Sequence, residues 1–319
     1  MKTKITVGTR KSRLALWQAN YVKNLIQGLF PAIRVSLKEI KTTGDHITDV
    51  ALSKIGDKGV FTKEIEDALL RNDIDIAVHS LKDLPTKLPD GLTIGAVTKR
   101  EKPIDVFLSN RKMKFLEFPT DAKIGTSSLR RIAQLKALKS DFEYVDLRGN
   151  LETRVRKLQS GQYDGIVLAY AGVKRLQLDF LITEEFSPEI ILPAVGQGSL
   201  AIEHRKEDSE VSEIISQLND NETYLISVTE RKFLEKLQGG CQVPIGAYSE
   251  IKNGKITLTG LIASLDGRKL IKYKLDGELN KDSCEKLGIS LAEKLLQNGG
   301  KEILEEISGK HQNSSSFGI

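Results

Sequence analysis

Long apolar runs are missing from this chain of 319 residues. Nothing approaches the roughly 18 consecutive apolar residues that a membrane-crossing helix needs. A secretory signal is missing as well. Met1-Lys2-Thr3-Lys4-Ile5 leads directly into a strand-like pattern, so the expected compartment is the cytoplasm. Cysteine is scarce: Cys241 and Cys284 are the only two, and their spacing matches no zinc pattern. His46, His79, His204 and His311 form no ligand pair at helical spacing, which argues against a protein-held metal. The single tryptophan, Trp17, falls on the apolar stripe of a helix. Few aromatics are left for stacking on bases, and a nucleic-acid binder is a poor reading. Charge of one sign is not in large excess. The 48 basic and 43 acidic side chains leave a net +5, which permits an anionic ligand without singling out nucleic acid.

What is present reads as a soluble globular protein of two or three domains, 39% hydrophobic and 29% charged. Two stretches resemble each other. "ITVGTRKSRLALWQAN" from Ile5 and "KIGTSSLRRIAQLKAL" from Lys123 each read as a short strand, Gly-Thr, serine, then an amphipathic helix. Leu14, Trp17, Tyr21 and Leu25 form one apolar stripe, and Leu129, Ile132, Leu135 and Leu138 form another. Ser12 and either Ser127 or Ser128 are the expected N-caps. The parallel continues, with strands at Arg34–Ile40 and Glu143–Leu147, strands at Asp75–Ser80 and Asp164–Ala169, and helices at Lys63–Arg71 and Glu152–Gln159. Such alternation predicts mostly parallel sheets covered by helices.

The expected fold is therefore α/β, with two periplasmic-binding-protein-like lobes and a hinge. One lobe comprises residues 1–98 and 199–216, the other 103–193. The crossings Lys99–Ser109 and Leu192–Glu203 carry proline and glycine and are read as the hinge. Ligands of open α/β sheets bind beyond the carboxyl ends of the strands, so both serine-capped helix starts should face a crevice between the lobes. From about Asn221 the pattern changes. A helix with Ile226, Phe233 and Leu237 stops at Gly239-Gly240, and three strand-like runs follow, separated by Asn253-Gly254 and Asp266-Gly267. A helix near Asp282–Gln297 completes an α+β domain, 221–319, with a three-stranded antiparallel sheet. The tail from His311 reads as disordered.

Helix N-termini with hydroxyls favour anions. Thr126, Ser127, Ser128 and Ser12 supply these, and Arg10, Arg130 and Arg131 add charge. "DLRGN" puts Arg148 at a strand end. Arginine suits bidentate recognition of carboxylates, so the set suggests a ligand bearing many of them. Lys54 and Lys58 lie in a glycine-bearing loop, either as ordinary surface lysines or as a basic flap beside an anionic site. Cys241 follows two glycines in "LQGGCQVPIGAY", either as a small buried hydrophobe or as an accessible thiol. "DIAVHSLKDLP" ends a strand in polar residues. Lys82 and Asp83 are either an idle surface pair or a way of aiming a carboxylate at a cation formed during reaction.

Taken together, "GTRKSRLAL", "HSLKDLP", "IGTSSLRR", "LRGN", "AVGQG" and "GGCQVPIGA" closely resemble the porphobilinogen deaminase family over nearly the whole chain. The resemblance implies a transferase of heme and tetrapyrrole biosynthesis, working as a monomer without nucleic acid or membrane. Such an enzyme joins four porphobilinogen molecules head to tail on a dipyrromethane cofactor, releasing ammonia and 1-hydroxymethylbilane. It further implies a thioether from that cofactor to Cys241 and makes Asp83 the catalytic carboxylate. Cofactor contacts are implied for Asp45, Ser80, Lys82, Thr126, Ser127, Ser128, Arg130, Arg131, Arg148 and Gly149. Substrate contacts are implied for Arg10, Ser12, Gln18, Lys54, Lys58, Asn150, Arg154, Arg175 and Gln197.

The chain departs from the family pattern at three places. Asp57 stands where a second glycine is common and puts a negative charge between Lys54 and Lys58. Ile104 replaces a usual arginine, and Ser199 a common alanine. The competing reading is a non-enzymatic two-lobe anion-binding module, which explains neither the glycine-flanked Cys241 nor the C-terminal domain.

Overall fold

The computed structural model describes residues 2–46, 61–238 and 243–315. The chain divides into two compact units. The first comprises Met1–Pro103, Ala169–Phe180 and Gly196–Ser227, and the second Ile104–Leu168, Leu181–Val195 and Val228–Ile319.

In chain order the main elements begin with β1 (Lys4–Thr9), α1 (Arg13–Leu29), β2 (Arg34–Glu39), α2 (Thr43–His46), α3 (Lys63–Leu70), β3 (Ile76–Ser80) and β4 (Leu92–Val97). Next come β5 (Asp105–Ser109), β6 (Lys123–Gly125), α4 (Leu129–Leu138), β7 (Glu143–Val145), α5 (Leu151–Gln159), β8 (Gly165–Ala169), α6 (Tyr170–Arg175) and β9 (Ile182–Phe186). The remainder is β10 (Leu200–Arg205), α7 (Ser209–Ser216), α8 (Asn221–Lys236), β11 (Ile245–Lys252), β12 (Lys255–Ala263), β13 (Leu270–Glu278), α9 (Lys281–Leu295) and α10 (Lys301–Ser315).

The first unit is built on the sheet β2-β1-β3-β10-β4, the second on β7-β6-β8-β5-β9. The two orders match position for position, as the repeated strand–helix pattern requires. In each sheet β1 or β6 lies parallel between its neighbours. Strand β10 runs antiparallel to both β3 and β4, and β5 antiparallel to β9. The two stretches read as hinge crossings therefore contribute inserted strands, Asp105–Ser109 and Leu200–Arg205. Their apolar runs satisfied the strand pattern, but the nearby proline and glycines read as linker. Apolar side chains of α1, including Val22 and Ile26, bury against Ile5, Val7, Ile76 and Ile202 in the first unit. A phenylalanine cluster of Phe107, Phe115, Phe118, Phe142 and Phe186 fills the second, with edge-to-face pairs such as Phe115–Phe142 at 5.2 Å.

The second unit also holds the antiparallel sheet β11-β12-β13. Asn253 and Gly254 turn the first hairpin with φ of 50° and 72°, the positive values that a tight turn needs. The Asp266-Gly267 connection is longer, closed by Ser264 and Lys269. Two expectations at the C-terminus are corrected. Helix α9 gives way at Asn298-Gly299 to a further helix, α10, and that helix continues through Ser315. No proline interrupts Lys301–Ser315, so the polar composition that suggested a disordered tail does not stop the helix. Among the described residues no helix is long and apolar enough to cross a membrane.

Candidate active site

In the first unit, the carboxyl ends of β1 and β3 meet the start of α1. Ser12 caps α1, accepting from the Ala15 amide at 3.3 Å, a contact worth about 1 kcal/mol. Gln18, one turn and a half further on, is buried and donates to Ser80 Oγ at 2.8 Å. That bond ties the helix to the end of β3, where Ser80 opens a short 3-10 turn, Leu81–Asp83. Leu81 is buried and its amide donates to the Ser199 carbonyl, so the turn is anchored while Asp83 remains exposed. These elements surround an open recess whose lining includes Arg10, Ser12, Gln18, His79, Ser80 and Asp83. Arg10 is held over the Phe61 ring at 4.4 Å.

Lys82 Nζ donates to Gln197 Oε1 at 3.5 Å. Gln197 donates to the Pro103 carbonyl at 2.7 Å, and Arg100 donates to the Gln197 carbonyl. Gly198 has φ of +93°, and a Cβ there would meet the Glu101 carbonyl oxygen at 2.3 Å, so the Gly-Gln-Gly segment tolerates no side chain at that point. Arg175 is mostly buried in this unit. It donates to the Gly198 carbonyl at 2.7 Å and covers the Trp17 ring at 5.5 Å. Burial lowers its pKa, offset in part by Glu101, to about 10. Ser199, where the family commonly has alanine, buries a hydroxyl with no hydrogen-bond partner.

The second unit repeats the arrangement with different chemistry. Ser128 caps α4, accepting from the Arg131 amide. Ser127 does not cap the helix. Its hydroxyl donates to the Leu147 carbonyl and accepts from the Leu147 amide, both at 3.0 Å. This double bond pattern pins the end of β7, and with it Arg148, beside the start of α4. Thr126 is buried and accepts from the Ser128 amide. Asn150 caps α5, and Arg154 Nε donates to the Gly149 carbonyl at 2.9 Å. Gly149 has φ of +104°, and a Cβ there would meet Thr153 at 2.7 Å.

Arg130 and Arg131 are only 6% exposed, and both grip Asp105, which is 0% exposed. Arg130 reaches Asp105 Oδ2 at 2.6 Å, and Arg131 reaches Oδ1 through Nε and Nη2 at 3.0 and 2.7 Å. Backbone carbonyls of Leu192 and Val167 take further donors. Burial alone would raise the Asp105 pKa, but Arg130 and Arg131 outweigh it and hold the carboxyl far below the usual range. The pattern reading of these arginines as carboxylate binders missed Asp105, which lies in the apolar strand "DVFLS". A charged residue opening a buried strand is the signal that it needs a partner. Glu203 in "LAIEHR" carries the same signal and pairs with His79 at 3.0 Å.

Lys54, Lys58 and Cys241 lie outside the described residues, as does Asp57. Asp45 belongs to α2.

Arg148 is half-buried at a pinned strand end. A charge-assisted hydrogen bond is worth about 1.5–3 kcal/mol, roughly a ten- to hundredfold effect. We expect Arg148→Ala to weaken binding of a polycarboxylate ligand by that factor. Near-wild-type affinity would leave Arg148 as a solvated surface residue.

In each α/β unit, hydroxyls and arginines lie at strand ends and helix starts, an arrangement that favours anions. The comparisons make this specific. Residues 5–213 match the family model "Porphobilinogen deaminase, dipyromethane cofactor binding domain". Residues 224–297 match "Porphobilinogen deaminase, C-terminal domain". The porphobilinogen deaminase of Carboxydothermus hydrogenoformans is 53% identical over 96% of this chain and 98% of its own length. That of Syntrophomonas wolfei is 51% identical over 95% and 98%. A putative methionine-binding lipoprotein of Bacillus subtilis aligns at 13% identity with a TM-score of 0.42, over 68% of this chain and 90% of its own. The chain belongs to the porphobilinogen deaminase family.

Proposed function

We propose that this chain condenses four porphobilinogen molecules head to tail and releases ammonia and 1-hydroxymethylbilane, acting as a monomer in the cytoplasm. Its family membership carries the reaction class. The observation that supports the site is the recess of the first unit, where the exposed Asp83 stands beside Arg10, Ser12 and Gln18. The donor set suits a dipyrromethane, whose rings bear several carboxylates. Arg130 and Arg131 exceed Asp105 by one positive charge, and the half-buried Arg148 and Arg154 add to it. When bound through a thioether to Cys241, that group supplies the acceptor ring on which the chain is built.

The residues then divide the work. The hydroxyls of Ser12, Thr126 and Ser128, with Arg10, Arg130, Arg131, Arg148 and Arg154, bind carboxylates of cofactor and substrate, whereas the Ser127 proton is spent on the Leu147 carbonyl. Arg175 and Gln197 brace the Gly-Gln-Gly segment. Asp83 stands by the pyrrole nitrogen of the incoming porphobilinogen. Loss of ammonia leaves a cation spread over that ring and its methylene, and a fixed carboxylate lowers the barrier to forming it.

Intact mass tests the reading most directly. The purified chain should carry two pyrrole units beyond its sequence mass, and digestion should place them on the peptide containing Cys241. A chain of bare sequence mass that yields no hydroxymethylbilane after incubation with porphobilinogen would favour the anion-binding module. An adduct on the Cys284 peptide would overturn the attachment site.

A further inference from the structure

Behind the wall of the recess, three ionisable side chains are buried together in the first unit. His79 lines the recess from β3 and is 6% exposed. Glu203, on the neighbouring strand β10, is 0% exposed, and its Oε2 lies 3.0 Å from His79 Nε2. The register accounts for the contact. Glu203 pairs with Ala77 across the antiparallel strands, and His79 is two residues along on the same face. Helix α3 packs against both strands and brings in Glu66, itself 6% exposed. Glu203 Oε1, Glu66 Oε1 and Thr62 Oγ1 are buried without a hydrogen-bond partner. None of these groups is used in the mechanism above.

Two neighbouring buried carboxylates do not both stay ionised at low cost. Burial and the charge of Glu203 push the Glu66 pKa up, Asp67 adds to the push, and Thr62 and His79 oppose it. Of the two carboxyls, Glu66 is the one whose environment favours the protonated form. Among the described residues, the other charged groups of the recess wall are Arg10 and Asp83. At 3.0 Å the Nε2–Oε2 contact is a hydrogen bond, with Nε2–H taken as its donor and the carboxylate as its acceptor. In a neutral imidazole this leaves the lone pair on Nδ1. A base oriented by a buried carboxylate at a pocket wall is a recurrent arrangement for proton removal.

We propose that His79, oriented by Glu203, accepts the proton shed from carbon at each ring addition. The proposal rests on the reading of the chain as a porphobilinogen-condensing enzyme. In each addition the carbon–nitrogen bond of the incoming aminomethyl group, protonated as –CH2NH3+, breaks, and neutral ammonia leaves with the bonding pair. The new carbon–carbon bond forms with π electrons of the acceptor ring. The proton on that ring's α-carbon is then lost as its bonding pair returns to the ring. That proton passes to His79 Nδ1 and on to the ammonia, which departs as ammonium.

Two measurements test this. Nitrogen-15 NMR of the purified chain without substrate should show the Nε2–H tautomer of His79 at neutral pH, lost in Glu203→Gln. An Nδ1–H ring or an imidazolium in the wild type overturns the proposal. In the second, single-turnover elongation uses porphobilinogen deuterated at its free α-carbon, so each added ring gives up its deuteron at the next addition. His79→Gln should slow elongation about a hundredfold and show a primary isotope effect larger than wild type. An unchanged rate, or a slowdown without that effect, overturns it. Glu66→Gln imitates a neutral acid and should stay within a few-fold of wild type, and a loss as large as that of His79→Gln counts against the proposal. If His79→Gln does not fold by circular dichroism, the tautomer of the wild type decides. A wild type that adds no rings sinks the functional reading instead, whatever the tautomer.

Discussion

Replacing Asp83 by asparagine is expected to cut ring addition about a hundredfold or more while leaving the protein folded and loaded with its cofactor. The turn that carries Asp83 is held by the buried Leu81 and by the Leu81 amide on the Ser199 carbonyl. Neither contact involves the Asp83 side chain, which is exposed, so folding should not depend on the charge. Asparagine keeps the shape and one acceptor but loses the negative charge. Removing one preorganised electrostatic group from other sites costs about 2.7–4 kcal/mol, or 10²–10³ in rate. The ammonia-loss step moves a positive charge from the departing amine onto the ring beside the position proposed for this carboxylate, so the cost should fall within that range. Single-turnover kinetics with porphobilinogen, followed by intact mass, would show partly elongated chains retained on the protein. A loaded Asp83→Asn that adds rings within a few-fold of wild type would make Asp83 an ordinary turn residue.

Asp105→Ala should destabilise the second unit of the cofactor-free chain by about 3–5 kcal/mol, because it removes the buried carboxylate that pairs with Arg130 and Arg131. The measurement is a shift in the denaturant midpoint at unchanged slope. The pH dependence provides an independent check. A carboxyl whose folded pKa is depressed contributes stability that is fully present above its unfolded value, about 3.9. That stability is lost as pH falls toward the folded value, which for Asp105 lies far below. Wild-type stability should therefore decline on acidification below about pH 4, and Asp105→Ala should decline less steeply. An alanine variant as stable as wild type would mean that the arginines draw their compensation from the carbonyls of Leu192 and Val167 instead.

Local pattern was enough for the repeated strand–helix units, the Ser12 cap and the Asn253-Gly254 hairpin, because each is decided by residues within one or two turns of chain. The family was also readable, since motifs such as "HSLKDLP" and "GGCQVPIGA" are short and contiguous. It took tertiary structure to decide that Ser128 caps α4 while Ser127 pins Leu147, 20 positions away. Tertiary structure also made β5 and β10 sheet strands where proline and glycine suggested connections. The ion pairs are the clearest case. Asp105 meets Arg130 across 25 positions, and His79 meets Glu203 across 124. Periodicity identifies which face of an element is buried. Which charge lies opposite on that face depends on strand register and on which strand is inserted beside it, and both are fixed only when the sheet assembles.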